Sequence, residues 1–267
     1  VDYLDSVEAP TEYGSAASRM AVMLSGAAEG LGKRLVANFE ALAAEHWEVD
    51  AGAVEYRDGE VALIDDDAAL SLADLAAVDE GRDERLTRAS YDYEHPALAF
   101  EEFDEAFARK LPVYPTAAFA ANAPIVEVDV ETGEVDILKF YSLRDCGTQL
   151  NPTIVEGQAH GGLAQGIGAA LMEEFVYDDA GQPQSVTLFD YLLPSIKNVP
   201  EMEISHSETP SPITATGAKG TGEGGMIDGP ASVASSINRA LEPFGVVVDE
   251  IPATPDRLRR QLREAED

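Results

Sequence analysis

Between residues 154 and 175 apolar residues recur at helical spacing, yet glycine stands at 157, 161, 162, 166 and 168. A glycine inside a helix is less favourable than alanine by about 1 kcal/mol. A helix this rich in glycine therefore requires something that only a missing side chain allows, such as very close backbone packing. The chain must supply elements that approach this helix closely.

The remaining pattern supplies both helices and strands. Met20, Met23, Leu24, Ala27, Leu31, Leu35, Phe39 and Leu42 predict a long helix over 15–48, with a weak point near 26–32. Alternation over 47–65 around Asp58-Gly59 predicts a hairpin, and 71–78 a short helix. Polar stretches at 79–84 and 91–96 read as surface loops. A second hairpin is expected over 125–130 and 135–142 around Glu131-Thr132-Gly133-Glu134, with strands at 185–189 and 202–206. Pro230 should open an apolar helix ending at Leu241, and Thr254-Pro255-Asp256 should start the last one. The class is α+β with mixed sheets and long packed helices, without regular βα repetition. Two α+β subdomains are expected, 1–110 and 111–267, the second carrying the glycine-rich loop near residue 220.

Charge narrows the function. Fifty acidic residues face 18 basic ones, a net charge of −32, which excludes a binder of nucleic-acid phosphate. The acids run from Asp2 to Asp267 without a long block, while 45% of residues are hydrophobic. That is a folded chain with an acidic surface suited to concentrated salt, so a halophilic cytoplasm is the expected setting. Cys146 is the sole cysteine, so the chain makes no internal disulfide and holds no cysteine-ligated iron–sulfur cluster. No apolar stretch has the length of a membrane span, and Val1 opens on loop-like sequence without methionine, suggesting a fragment or one subunit.

The richest chemical segment is Lys219-Gly220-Thr221-Gly222-Glu223-Gly224-Gly225. Glycines on both sides leave Glu223 open to a large ligand. The loop alone admits three readings: a catalytic acid or base, a phosphate loop before a helix, or a structural turn. Its spacing departs from the common phosphate-loop pattern, and a carboxylate in the cradle opposes an anion. Cys146 and His160 read as structural, since neither has a partner at metal-ligand spacing. Ser18 suits a helix N-cap.

Five segments together, in one order, resemble the molybdenum hydroxylases, the family of xanthine dehydrogenase, aldehyde oxidase and aerobic CO dehydrogenase. They are Gly14-Ser15-Ala16-Ala17-Ser18-Arg19, Asp145-Cys146-Gly147 with Asn151-Pro152, Val155-Glu156-Gly157-Gln158-Ala159-His160-Gly161-Gly162, Ala164-Gln165-Gly166-Ile167-Gly168, and Gly217-Ala218 running into Lys219–Gly225. The resemblance is to the C-terminal part of the molybdopterin-binding large subunit, in an acidic, haloarchaeal-like version.

The resemblance implies a fold, a cofactor and partners. The fold would be the second cofactor-binding domain of such enzymes. Glu223 would be the active-site base of an oxidative hydroxylation acting on CO, an aldehyde or a purine-like substrate. Gln158, and with less force Gln165, would bind the pterin. The Ala16-Ala17-Ser18 turn would bring backbone donors near the metal, and Gly222 and Lys219 would border the site. Molybdenum would be held by the pterin dithiolene rather than by a side chain, in a molybdopterin-type cofactor with the cytosine dinucleotide form among the candidates. Iron–sulfur clusters and FAD would sit on partner subunits, the N-terminal half of the large subunit would complete the site, and a dimer of heterotrimers is the expected assembly. Two other readings stand beside this one: a non-catalytic remnant of the same fold, and a nucleotide-binding module built on Gly220–Gly225.

Overall fold

The computed structural model describes residues 15–95 and 116–266. They divide into two compact units, one of residues 22–113 and one of residues 1–21 with 114–267. The expected subdomain boundary at 110/111 lies outside the described residues. The turn at 15–19 belongs to the same unit as the C-terminal residues.

In the first unit a long helix, α1 (Met20–Trp47), is followed by three antiparallel strands, β1 (Val54–Arg57), β2 (Glu60–Leu63) and β3 (Ala69–Ser71), and by α2 (Leu72–Val78). The expected hairpin turns at Asp58-Gly59, while β3 is an addition the pattern did not announce. Ser71 and Asp74 cap α2 reciprocally. Leu42, Val61 and Leu75 are fully buried and form the centre of this unit's core.

Two expectations for α1 change. The helix starts at Met20 rather than 15 because Ala17 and Ser18 have φ of 58° and 54°, left-handed values that no right-handed helix accommodates. It also runs unbroken past Gly26 and Gly30, whose missing side chains make room for the rings of Tyr93 and Tyr91. The 91–95 segment is the expected loop, with Tyr91, Asp92 and Glu94 exposed, and it lays the rings of Tyr91 and Tyr93 on the helix. Asp79, expected in a surface loop, is fully buried and accepts from the Leu86 and Thr87 amides and the Thr87 hydroxyl.

The second unit is built on β4 (Phe119–Val128) and β5 (Val135–Asp145), the expected hairpin, with β6 (Met202–Ser207) parallel to β5 on its other side. Pro124 sits in β4, an edge strand, where a missing N–H costs no ladder bond. Helices α3 (Pro152–Leu171), α4 (Gly224–Leu241) and α5 (Pro255–Glu266) complete it. Asn151 caps α3 by accepting from the Ile154 amide, with Pro152 at the first helical position. Phe140, Leu163, Ile167, Val233, Ile237 and Leu258 are fully buried in one core. Each such side chain contributes about 1.5–3 kcal/mol of burial free energy.

The glycines of α3 divide by face. A Cβ on Gly162 or Gly166 would meet the backbone of Gly225 or Gly229 in α4 within 3.0–3.1 Å, whereas Gly157 and Gly161 face open space. Two further expectations are corrected. Pro230 lies inside α4, which already begins at Gly224; its ring packs over Gly166. Residues 185–189 are not a strand: the buried Ser185 hydroxyl takes the Val176 amide and donates to the Glu174 carbonyl, and Thr187 closes a turn onto Asp190. Local side-chain bonds there replace a strand ladder.

Candidate active site

The 219–225 loop leads into α4, and Glu223 occupies the N-cap position of that helix. Gly220 lets the loop lie directly on the 16–19 turn: a Cβ there would stand 2.6 Å from the Ser18 carbonyl oxygen. In that contact the Ser18 hydroxyl accepts from the Glu223 N–H at 2.8 Å and donates to Glu223 Oε2 at 3.1 Å. Ser18 thus caps α4 and not, as expected, α1. Gly222 fits between Ser18 and Gln158, with its Cβ position 3.3 Å from Ser18 Oγ and 3.4 Å from Gln158 Oε1. Four of the candidate residues, Ser18, Gln158, Gly222 and Glu223, are thereby neighbours.

Glu223 is exposed and borders an open cavity of about 490 Å³, together with Ala17, Ser18, Gly220, Phe119 and Arg144. Ala16 contributes its carbonyl to the turn, accepting from the Arg19 amide. Gln165 lies on α3 seven residues beyond Gln158, on the same exposed side, about 10 Å along the axis. His160 Nδ1 bonds the Glu156 carbonyl within the helix.

Lys219 is turned inward. Its ammonium reaches Thr209 Oγ1 at 2.6 Å and Asp145 Oδ2 at 3.4 Å, and its own N–H donates to the Cys146 carbonyl at 2.7 Å. Lys219 therefore fastens the glycine loop to the end of β5, with its ammonium committed to that ion pair. Burial alone would raise the Asp145 carboxyl; the Thr209 hydroxyl, the Gly147 and Thr209 amides and the Lys219 charge outweigh it and bring it down to about 2. Burial, with Asp145 beside it, pushes the Cys146 thiol up, which makes this cysteine an inert structural one.

Arg144 and Asp228 were not singled out from sequence. Arg144 forms a bidentate pair with Asp228 in the first turns of α4, at 2.9 and 3.1 Å, and its Nε donates to Ser142 Oγ. Asn122 Oδ1 joins the cluster by accepting from Arg144 and Ser142. One signal was available: along β5, Phe140, Ser142 and Arg144 share the buried side, and a buried arginine demands an acid. Which acid answers it is a tertiary fact.

The site therefore offers amide, hydroxyl and glycine-backbone surfaces around an exposed carboxylate, with two open glycines on the adjoining helix face. That donor set suits the nitrogen- and oxygen-rich rings of a pterin. The sequence profile of a molybdopterin cofactor-binding domain matches residues 1–200. The chain belongs to this family of molybdenum hydroxylase domains. It is 37% identical to the nicotine 6-hydroxylase large subunit of Paenarthrobacter nicotinovorans over 98% of its own length and 31% of that protein. Among solved structures it is similar to quinoline 2-oxidoreductase from Pseudomonas putida 86, with a TM-score of 0.70 and 34% identity over 94% of this chain and 31% of that one. It is also similar to the Cu,Mo-CO dehydrogenase, with a TM-score of 0.78 and 26% identity over 97% of this chain and 31% of that one. The molybdopterin-binding domain thus spans about a third of the length of the relatives it matches. Among the described residues no helix is long and apolar enough to cross a membrane.

Proposed function

We propose that this domain holds a molybdopterin-type cofactor and supplies Glu223 as the base of a molybdenum hydroxylase, active once joined to the rest of its large subunit. The observation that carries the reading is the placement of Glu223, exposed at the cavity, in one cluster with Ser18, Gly222 and Gln158. When bound, the cofactor supplies the two-electron oxidation that hydroxylation of the substrate with oxygen from water requires.

The chain's own residues bind, orient and move a proton. Gln158 and Gln165 offer amides along α3, and the open faces of Gly157 and Gly161 allow a flat ring system to lie against the helix backbone. Ala16, Ala17 and Ser18 present the turn, and Gly222 leaves the gap between Ser18 and Gln158 unfilled. Glu223 takes up a proton as the oxygen nucleophile forms, the role of a general base. Lys219 holds the loop in register through Asp145.

The substrate class proposed is small and oxidisable at carbon: CO, an aldehyde or a purine-like heterocycle. Nicotine and quinoline, named for two relatives matched over nearly the whole chain, favour a nitrogen heteroaromatic. Electrons must leave for redox centres elsewhere, because a single buried cysteine cannot hold an iron–sulfur cluster. We place those centres on iron–sulfur and FAD partners in a cytoplasmic dimer of heterotrimers, with the cytosine dinucleotide form as the cofactor to look for first.

The test is molybdenum analysis and turnover of the full complex purified in high salt. Stoichiometric molybdenum that is lost in Gln158→Ala, and retained without turnover in Glu223→Gln, supports the reading. A complete complex without molybdenum would leave a fold relative lacking the chemistry.

A further inference from the structure

We infer that Ser18 is a positioning residue for Glu223: its hydroxyl fixes Oε2 and leaves Oε1 as the oxygen that takes the proton. The inference rests on the reading of Glu223 as the base.

Three features meet at this contact. First, one hydroxyl works in both directions: it accepts the Glu223 N–H at 2.8 Å, which turns its own hydrogen toward Glu223 Oε2 at 3.1 Å. A cap for the start of α4 would need only the first of these bonds, so the second is left to serve the carboxylate. Second, both Ala17 and Ser18 are held at positive φ, a conformation that residues with a Cβ disfavour, and Gly220 permits the close approach by lacking a Cβ that would sit 2.6 Å from the Ser18 carbonyl oxygen. The surrounding structure thus keeps Ser18 in an unfavourable backbone state and delivers its hydroxyl to the carboxylate. Third, a buried cation on the same cavity is engaged elsewhere. Arg144 borders the same cavity, and Gly224 lies beside its Nη1, but the guanidinium is committed to Asp228, Ser142 and Asn122. Among the described residues, Ser18 is the side-chain donor to the Glu223 carboxylate.

A carboxylate at an open cavity has several rotamers, and a base must point one oxygen at one proton. Anchoring Oε2 selects the rotamer before substrate arrives, so the effect should appear in kcat rather than in binding.

The experiment uses the complete, molybdenum-loaded complex carrying Ser18→Gly or Ser18→Ala. Glycine accepts the positive φ without strain, so Ser18→Gly removes the hydroxyl while easing the backbone; Ser18→Ala keeps the Cβ. Expected are unchanged molybdenum content, a KM within about twofold of the parent, a kcat lower by about 10- to 100-fold in both variants, and a crystal structure with the Glu223 side chain in more than one rotamer. Parental kcat with a single Glu223 rotamer would overturn the inference, as would loss of molybdenum or failure to assemble in both variants, since Ser18 would then serve the cofactor or the fold. Failure of the underlying reading looks different: Glu223→Gln would turn over like the parent. Failure of the inference alone leaves Glu223→Gln inactive and Ser18→Gly unimpaired.

Discussion

Gly225 at the start of α4 lies against Gly162 of α3 so closely that a Cβ on Gly225 would stand 2.6 Å from the Gly162 carbonyl carbon and 2.5 Å from the Leu163 nitrogen. Both obstacles are helix backbone, which cannot swing aside. This contact sets how closely the start of α4 packs on α3, and hence how near Glu223 stands to that helix. Gly225→Ala should destabilise the domain by about 3 kcal/mol through overpacking, read as a lower denaturant midpoint. Gly157→Ala has nothing within 4 Å and should stabilise the chain by about 0.5–1 kcal/mol through helix propensity. In the loaded complex the same methyl enters the face proposed for the pterin, so molybdenum occupancy should fall.

Asp145 gives the domain a pH-dependent brace. Its folded pKa, about 2, lies below the ordinary aspartate value of 3.8. The unfolded chain therefore binds the proton more readily. The contribution is fully present above about pH 4, is lost as pH falls from there toward 2, and is absent below that. Its size is about 2 kcal/mol. The stability difference between the parent and Asp145→Asn, followed by urea unfolding between pH 6 and pH 2, should shrink by about that amount. A difference independent of pH would show that the Asp145 charge is not what stabilises the loop.

The pair between Arg144 and Asp228 joins β5 to α4 in the wall of the cavity. Arg144→Lys should not substitute, because an ammonium cannot reproduce the two parallel bonds at 2.9 and 3.1 Å. Arg144→Ala leaves Asp228 without its charge partner and should cost about 2–3 kcal/mol, toward the lower end for a broken buried pair because Asp228 keeps some solvent contact. A double-mutant cycle with Asp228→Ala isolates the coupling; additive losses would remove the pair from the account.

Net charge of −32 makes a physical prediction of its own. Self-repulsion among exposed carboxylates should be relieved as the screening length falls from about 10 Å at 0.1 M salt to about 3 Å at 1 M. The thermal midpoint of the domain should therefore rise with potassium chloride over that range. A flat response would remove the argument for a high-salt setting.

The sequence by itself determined the parts whose causes are local. The period of apolar residues placed α1 and α3, alternation placed β4 and β5, and the capping residues near Pro255 marked the last helix. Glycine content alone showed that α3 must meet something closely. The family was legible in five ordered segments because close approach and positive φ restrict residue choice wherever they occur.

Tertiary structure decided the rest, because those choices depend on partners far away in the chain. The start of α4 at Gly224 rather than at Pro230 follows from the Ser18 hydroxyl, 205 positions from the amide it receives. The late start of α1 follows from the same turn, whose left-handed residues lie against the 219–225 loop. Residues 185–189 have strand-like composition but pair with no strand among the described residues, and local side-chain bonds took over. Lys219 reads as a cation beside the site, yet its charge faces Asp145, since a buried carboxylate at the end of β5 offered a stronger partner than solvent. Residue type and spacing suffice where an interaction is repeated along one element; they are silent where a single contact between distant segments decides the outcome.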